Sequence, residues 1–167
     1  VVELMSPSFG YCLPEPGDTE VRVSVRDQRI SYKECVELCR FIKGMSVEKA
    51  RKILEEVIRL KRPVPFKRYV KGVGHRKGLK APPSGRYPVK ASKVLLRLLE
   101  NGIWSAENKG LDADNLYIKG IAAHKGPKLV RFFPRAFGRA TPKIEQLVHI
   151  ELLLAERKER GEHGEKA

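Results

Sequence analysis

Acidic residues are missing from two long stretches of this chain. Val57 to Leu99 holds 13 Lys or Arg and no Asp or Glu, and Asn115 to Ile144 holds seven more, again with no acid. The remaining 94 residues carry 14 cations and 20 acids, so the net charge of +14 comes from those two windows. Unneutralised like charges repel, which argues against an ordinary solvated face of mixed sign and points to a polyanionic partner.

Long apolar runs are also missing. None approaches the ~20 residues of a membrane span, so no membrane partner is expected. No basic start followed by an apolar stretch and a small-residue cleavage site marks a secretory signal, and Val1 in place of Met reads as a trimmed start. Cysteine is scarce and odd in number, three in all. Full pairing is therefore excluded, and the usage suits a reducing compartment. Cys35 and Cys39, four apart on a predicted helix, read either as two metal ligands or as two small core residues. No further Cys or His stands near them at zinc-ligand spacing, which favours the core. No metal and no cofactor is expected.

What is present suffices for one domain: 167 residues, of which 41% are apolar. Residues 1–19 contain three prolines and two glycines and read as an irregular N-terminal arm. Val21 to Arg26 alternates apolar and polar residues, the mark of a half-buried strand. Ser31 and Glu34 form a capping-box pattern. Cys35, Val36, Cys39 and Ile42 then share a helical face that Gly44 terminates. Ser46 starts a second helix with Ala50, Ile53, Leu54, Val57 and Ile58 as its apolar stripe. Pro63 and Pro65 stop it. Pro88 suits the first turn of a third helix, striped by Ala91, Val94, Leu95, Leu98, Leu99, Ile103 and Ala106. Asn101-Gly102 is a weak spot inside it, and Lys109-Gly110 closes it. Leu116 to Ala123 and Leu147 to Leu154 read as two further strands.

The pattern predicts an α+β fold: three helices packed on a small antiparallel three-stranded sheet, covered on one face, with a long protruding β-hairpin. Residues 20–154 form a single globular domain, and 155–167 are a charged flexible tail. Within the domain, residues 61–87 are a basic loop. Pro63, Pro65, Pro82 and Pro83, with Gly72, Gly74, Gly78 and Gly85, exclude helix or central strand there, and a loop this long is usually functional or disordered.

Between the last two strands stands HKGPKLVRFFPRAFGRATPK, His124 to Lys143, with six cations and no acid. Hairpin loops need two to five residues, so the segment reads as a hairpin at about 122–143 prolonged beyond the domain. Such a ribbon has no core and is marginal in water unless a partner covers it. Arginine interleaved with Phe132, Phe133 and Phe137 suits RNA, through phosphate pairing and base stacking. The rival reading, a disordered basic loop, would leave three phenylalanines exposed with no partner.

PRAFGRA at Pro134 to Ala140 resembles the hairpin motif of the universal large-subunit ribosomal protein twenty-two family, whose eukaryotic counterpart is numbered seventeen. So do His124-Lys125-Gly126-Pro127 before it and His149-Ile150-Glu151 after it. Arg62 to Leu79 resembles the insertion of archaeal and eukaryotic members. Gly85-Arg86-Tyr87-Pro88 and Glu107-Asn108-Lys109-Gly110-Leu111-Asp112 match the start and end of the family's third helix. The likeness runs from about Val21 to Leu154 and is archaeal in flavour.

The resemblance implies a cytoplasmic, non-catalytic constituent of the large ribosomal subunit that binds large-subunit (23S-type) ribosomal RNA and supports assembly. The expected RNA contacts are Lys61, Arg62, Lys67, Arg68, Lys71, Arg76, Lys77, Lys80, Arg86 and Lys90 around the basic loop. On the hairpin they are Lys125, Lys128, Arg131, Arg135, Arg139 and Lys143. The expected hairpin tip, lining the nascent-peptide exit tunnel beside large-subunit protein four, is Lys128, Leu129, Val130, Arg131, Phe132 and Phe133. The other implied partners are neighbouring large-subunit proteins and the nascent peptide in transit. Two departures stand out: Leu129-Val130 is less cationic than in some bacterial relatives, and Val148 replaces a common Thr or Ser.

Other classes fit poorly. His75, His124 and His149 have no obvious carboxylate partner, Glu55-Glu56 lies on a polar helix side, and Gly72-Val73-Gly74 lacks the rest of a phosphate-loop or dinucleotide pattern. No helix carries an Arg/Asn/Gln recognition face for duplex DNA, and prolines and glycines keep the basic segments from forming an amphipathic membrane helix.

Overall fold

Val21, Val23 and Val25 pack toward the core while Arg22, Ser24 and Arg26 alternate outward, and this alternation makes strand β1, Glu20–Gln28. The computed structural model describes residues 10–157. After β1 come helices α1 (Tyr32–Ile42) and α2 (Val47–Ile58), the short strands β2 (Val64–Pro65) and β3 (Gly85–Arg86), helix α3 (Val89–Asn108), a 3-10 turn (Ala113–Asn115), and the long strands β4 (Leu116–Pro134) and β5 (Ala140–Glu156). The main sheet is antiparallel in the order β1-β5-β4, and β2 pairs with β3 in a small ribbon of its own.

The three helices cover one face of this sheet. Leu38, Ile42, Ile53, Leu54, Leu95 and Leu98 meet Ile118, Ile150, Leu152 and Leu154 in one continuous core. Cys35 and Cys39 belong to it, buried, unbridged and 3.9 Å apart at sulfur. The neighbouring Cys35 thiol and burial push the Cys39 thiol well up from its ordinary value. Gly102 has a packing role that its place in a helix conceals. A Cβ there would stand 2.7 Å from Leu154 Cδ1, so the glycine lets α3 lie close to the sheet.

Several local expectations are revised. Ser31 is the N-cap of α1, but its hydroxyl makes no cap bond, and Glu34 pairs with Arg86 at 3.7 Å instead of closing a capping box. Pro88 is the N-cap of α3 rather than part of its first turn. On α1, Val36 is only half-buried while Glu37 is buried. The α1–α2 turn is pinned to the start of β4, with Gly44 N–H donating to Ile118 O and Ile118 N–H to Met45 O, both at 2.9 Å.

The sheet's second face is also covered. Leu153, Glu151, His149 and Ala155 are buried there although the helices lie on the other side. The described part of the N-terminal arm packs across them. Cys12 and Leu13 donate their amides to the Glu151 carboxylate at 2.9 and 3.2 Å. Leu13 rests on Gly120, and Tyr11 sits beneath the Arg22 guanidinium at 3.8 Å. Leu152-Leu153-Leu154 is therefore apolar for both faces at once. Strand β5 continues through Glu156, past the expected start of the tail, while residues 158–167 lie outside the described residues.

Candidate nucleic-acid interface

Beyond the row where Lys125 meets Val148, β1 has ended and β4 and β5 go on alone. They pair from Lys128↔Gln146 to Pro134↔Ala140. At ~3.4 Å per residue the ribbon projects about 30 Å beyond the sheet. The expected tip residues Lys128 to Phe133 lie on its outgoing strand, and the chain reverses at Arg135–Arg139. Arg135 N–H donates to Arg139 O at 2.8 Å, and Phe137 and Gly138 take left-handed φ values of 58° and 68°. That conformation suits glycine and is costly for a bulky residue, yet the Phe137 side chain stands 93% exposed at the turn.

Alternation gives the ribbon two different faces. One carries Leu129, Arg131 and Phe133 against Glu145, Lys143 and Thr141. The other carries Lys128, Val130 and Phe132 against Gln146, Ile144 and Pro142. On the first face two cations, Arg131 and Lys143, stand directly opposite each other, a pairing that destabilises a free ribbon. Lys143 Nζ also lies 5.0 Å from the Phe133 ring. On the second, Val130, Phe132 and Ile144 are all exposed.

The ribbon is fixed at its foot. Arg29 grips Glu145 through two nitrogens at 2.9 and 2.6 Å, which holds the Glu145 carboxyl below its ordinary range and raises the guanidinium. Two β-bulges flank the same level of β5, one between Val25 and Gln28 on β1 and one between Lys125 and Lys128 on β4. His149 lies between them. Its Nδ1 accepts the Asp27 amide at 3.0 Å, and its ring lies over Gly126, whose carbonyl accepts from Gln146 Nε2 at 2.5 Å.

The basic loop is folded although it has almost no regular structure. Its organiser is Glu37, a carboxylate 1% exposed on α1. It accepts the amides of Lys67, Arg68 and Tyr69 at 3.0, 2.6 and 2.7 Å. The three donors satisfy the buried charge and leave the Lys67 and Arg68 side chains in solvent. Gly85 closes the loop against β2, where a Cβ would stand 2.6 Å from Val64 O.

All sixteen cations expected at RNA are exposed. Of these sixteen, only Arg62, with Glu56 at 3.4 Å, and Arg86, with Glu34, form ion pairs among the described residues. The loop cations and the hairpin cations sit on two protrusions, with Lys90 of the first group and Lys125 of the second lining one cleft between them. Residues that sequence reasoning missed are Glu37, Arg29 and Glu145, which position the two protrusions, and Tyr32, Lys33 and Tyr87 between them. An acid inside the apolar stretch Cys35 to Cys39 was the available signal for Glu37. Among the described residues no three His, Cys, Asp or Glu side chains converge as metal ligands, and no helix is long and apolar enough to cross a membrane.

The profile described as "Ribosomal protein L22p/L17e" matches residues 23–155. The chain belongs to this family. It is 50% identical over 150 residues to a protein of Thermofilum pendens named "Large ribosomal subunit protein uL22", covering 90% of this chain and 98% of that one. Its counterpart of the same name in Hyperthermus butylicus is 49% identical over 153 residues, covering 90% of this chain and 98% of that one. The one in Methanocaldococcus jannaschii is 44% identical over 153 residues, covering 92% and 98%. In this L22p/L17e member the motif segments sit at structural joints: Pro134 to Ala140 at the turn, Gly126 and His149 at the ribbon's foot, and Gly85 to Pro88 at the entry to α3.

Proposed function

We propose that the chain is a structural, non-catalytic constituent of the large ribosomal subunit in the cytoplasm. In this reading it binds large-subunit ribosomal RNA through the basic loop and the ribbon and supports subunit assembly. The ribbon penetrates the RNA, and its distal part, Lys128 through the turn, lines the nascent-peptide exit tunnel beside large-subunit protein four. Neighbouring subunit proteins and the passing peptide are its other partners.

One observation carries the reading: a coreless two-stranded ribbon with Arg131 opposite Lys143 and phenylalanines in solvent. Isolated, it has repulsion across its strands and no core to offset it. Crowded phosphates remove the repulsion, release counterions and supply bases for the rings. Bringing RNA segments together around the ribbon then becomes favourable, which is a clamping role.

The test is quantitative mass spectrometry of native large subunits pelleted through a high-salt sucrose cushion. One copy per subunit after the wash is expected. Recovery in the supernatant with salt-labile proteins would overturn the reading. In reconstituted subunits, Arg135→Glu should lower incorporation and Arg157→Glu, far from the ribbon, should not. Equal incorporation of the two would contradict the ribbon's role.

A further inference from the structure

A cleft of about 800 Å³ opens at the foot of the ribbon, between the ribbon and the basic loop. Lys125, Glu145 and Gln146 enter it from the ribbon, Ser31 to Glu34 from the start of α1, and Tyr87, Val89 and Lys90 from the end of the loop and the start of α3. Its volume lies in the range of ligand clefts. Its two acids are already engaged, Glu145 by Arg29 and Glu34 by Arg86. Among the described residues Lys33, Lys90 and Lys125 form no ion pair, so the cleft has a net positive lining.

The aromatic groups decide what kind of anion fits. Tyr32 has the Lys125 ammonium 5.4 Å from its ring, and Tyr87 has the Arg76 guanidinium at 5.5 Å. A π surface with a cation beside it is the combination that takes a base and its phosphate together. Simple phosphate binding needs no tyrosines, and an acidic peptide would leave both rings without a planar partner. The Ser31 hydroxyl makes no cap bond, which leaves the first turn of α1 able to donate into the same space.

We propose that this cleft holds one unstacked nucleotide of the partner RNA. Its base lies against Tyr32 or Tyr87, and its phosphate lies on Lys33, Lys90 and Lys125. The cleft thereby joins the two basic protrusions: a strand that leaves the loop drops one base here before following the ribbon. This inference rests on the RNA-binding reading above and adds a base-sized pocket to a surface otherwise built for backbones.

The experiment is ultraviolet irradiation of purified native large subunits, nuclease digestion, and mass spectrometry of peptide–nucleotide adducts. Adducts are expected on peptides containing Tyr32-Lys33 or Tyr87 to Lys90, as well as on the ribbon. Adducts on the ribbon alone overturn the cleft and leave the RNA reading standing. Adducts on neither overturn both. A second measurement uses subunits reconstituted with the double variant Tyr32→Leu/Tyr87→Leu, which keeps apolar bulk and removes both stacking rings. One nucleotide protected in the parent should become severalfold more reactive toward base-modifying reagents, while the ribbon's footprint stays unchanged. An unaltered footprint at every nucleotide overturns the proposal.

Discussion

The imidazole of His149 lies directly over Gly126, so close that a Cβ on the glycine would stand 2.8 Å from Cε1 and 2.9 Å from Nε2. The ring cannot easily move aside, because Nδ1 accepts the Asp27 amide from the opposite strand. Backbone, ring and bulge thus interlock where the three-stranded sheet becomes a two-stranded ribbon.

Gly126→Val should therefore destabilise the free protein by about 1–3 kcal/mol, the usual cost of forcing bulk into a packed contact. Urea unfolding of purified wild type and variant measures it. An unchanged midpoint would mean that the ring yields freely.

Glu37→Gln tests the loop. The carboxylate accepts three amides with two oxygens, whereas the amide has one oxygen and turns an N–H₂ toward the remaining donors. The loss should be about 1–3 kcal/mol, and the amides of Lys67, Arg68 and Tyr69 should exchange with solvent much faster. If their exchange is unaltered, something other than Glu37 holds the loop.

Phe137→Asn separates folding from binding at the turn. Asparagine tolerates the left-handed conformation that Phe137 adopts at φ 58°, so the isolated protein should be as stable as wild type or slightly more so. Incorporation into subunits should fall because the exposed ring is gone. Undiminished incorporation would show that the ring has no partner.

Acid should weaken the domain at identifiable pairs. Lys119 donates a hydrogen bond to Glu20 and holds its carboxyl below the ordinary value, as Arg29 does for Glu145. A depressed folded-state pKa contributes stability above the unfolded value and loses it as pH falls through the folded one. Glu20→Gln should accordingly lower stability at neutral pH, flatten its decline on the acid side, and converge with wild type at the acid end. Urea midpoints across that range, compared between wild type and variant, decide it; parallel acid limbs would refute the assignment.

Much of this was legible in the residues. The helices followed from the spacing of Ala50, Ile53, Leu54 and Val57 and from the α3 stripe, because burial against one sheet imposes that period. The ribbon followed from an acid-free, phenylalanine-bearing segment between two strands. Its turn was harder to place. The expected tip fell on Lys128 to Phe133, but register depends on the extra residue at Gly126-Pro127 and on left-handed geometry at Phe137-Gly138, and both are tertiary outcomes. Glu34 looked like a capping partner for Ser31 until Arg86, distant in sequence, took its carboxylate. The described part of the arm gave no periodic signal because it binds through backbone amides to Glu151 and through single contacts of Tyr11 and Leu13.

The interlock at Gly126 and His149 has one more consequence, which is mechanical. The ribbon is a lever pivoting on that joint, and at a reach of about 30 Å each degree of error in its aim displaces the turn by about 0.5 Å. About seven degrees would displace Phe137 by ~3.4 Å, the rise from one nucleotide of a strand to the next. The tolerance of the whole projection is therefore set at its root, where a missing side chain on Gly126, a ring on His149 and the Arg29 grip on Glu145 fix the angle within the protein itself.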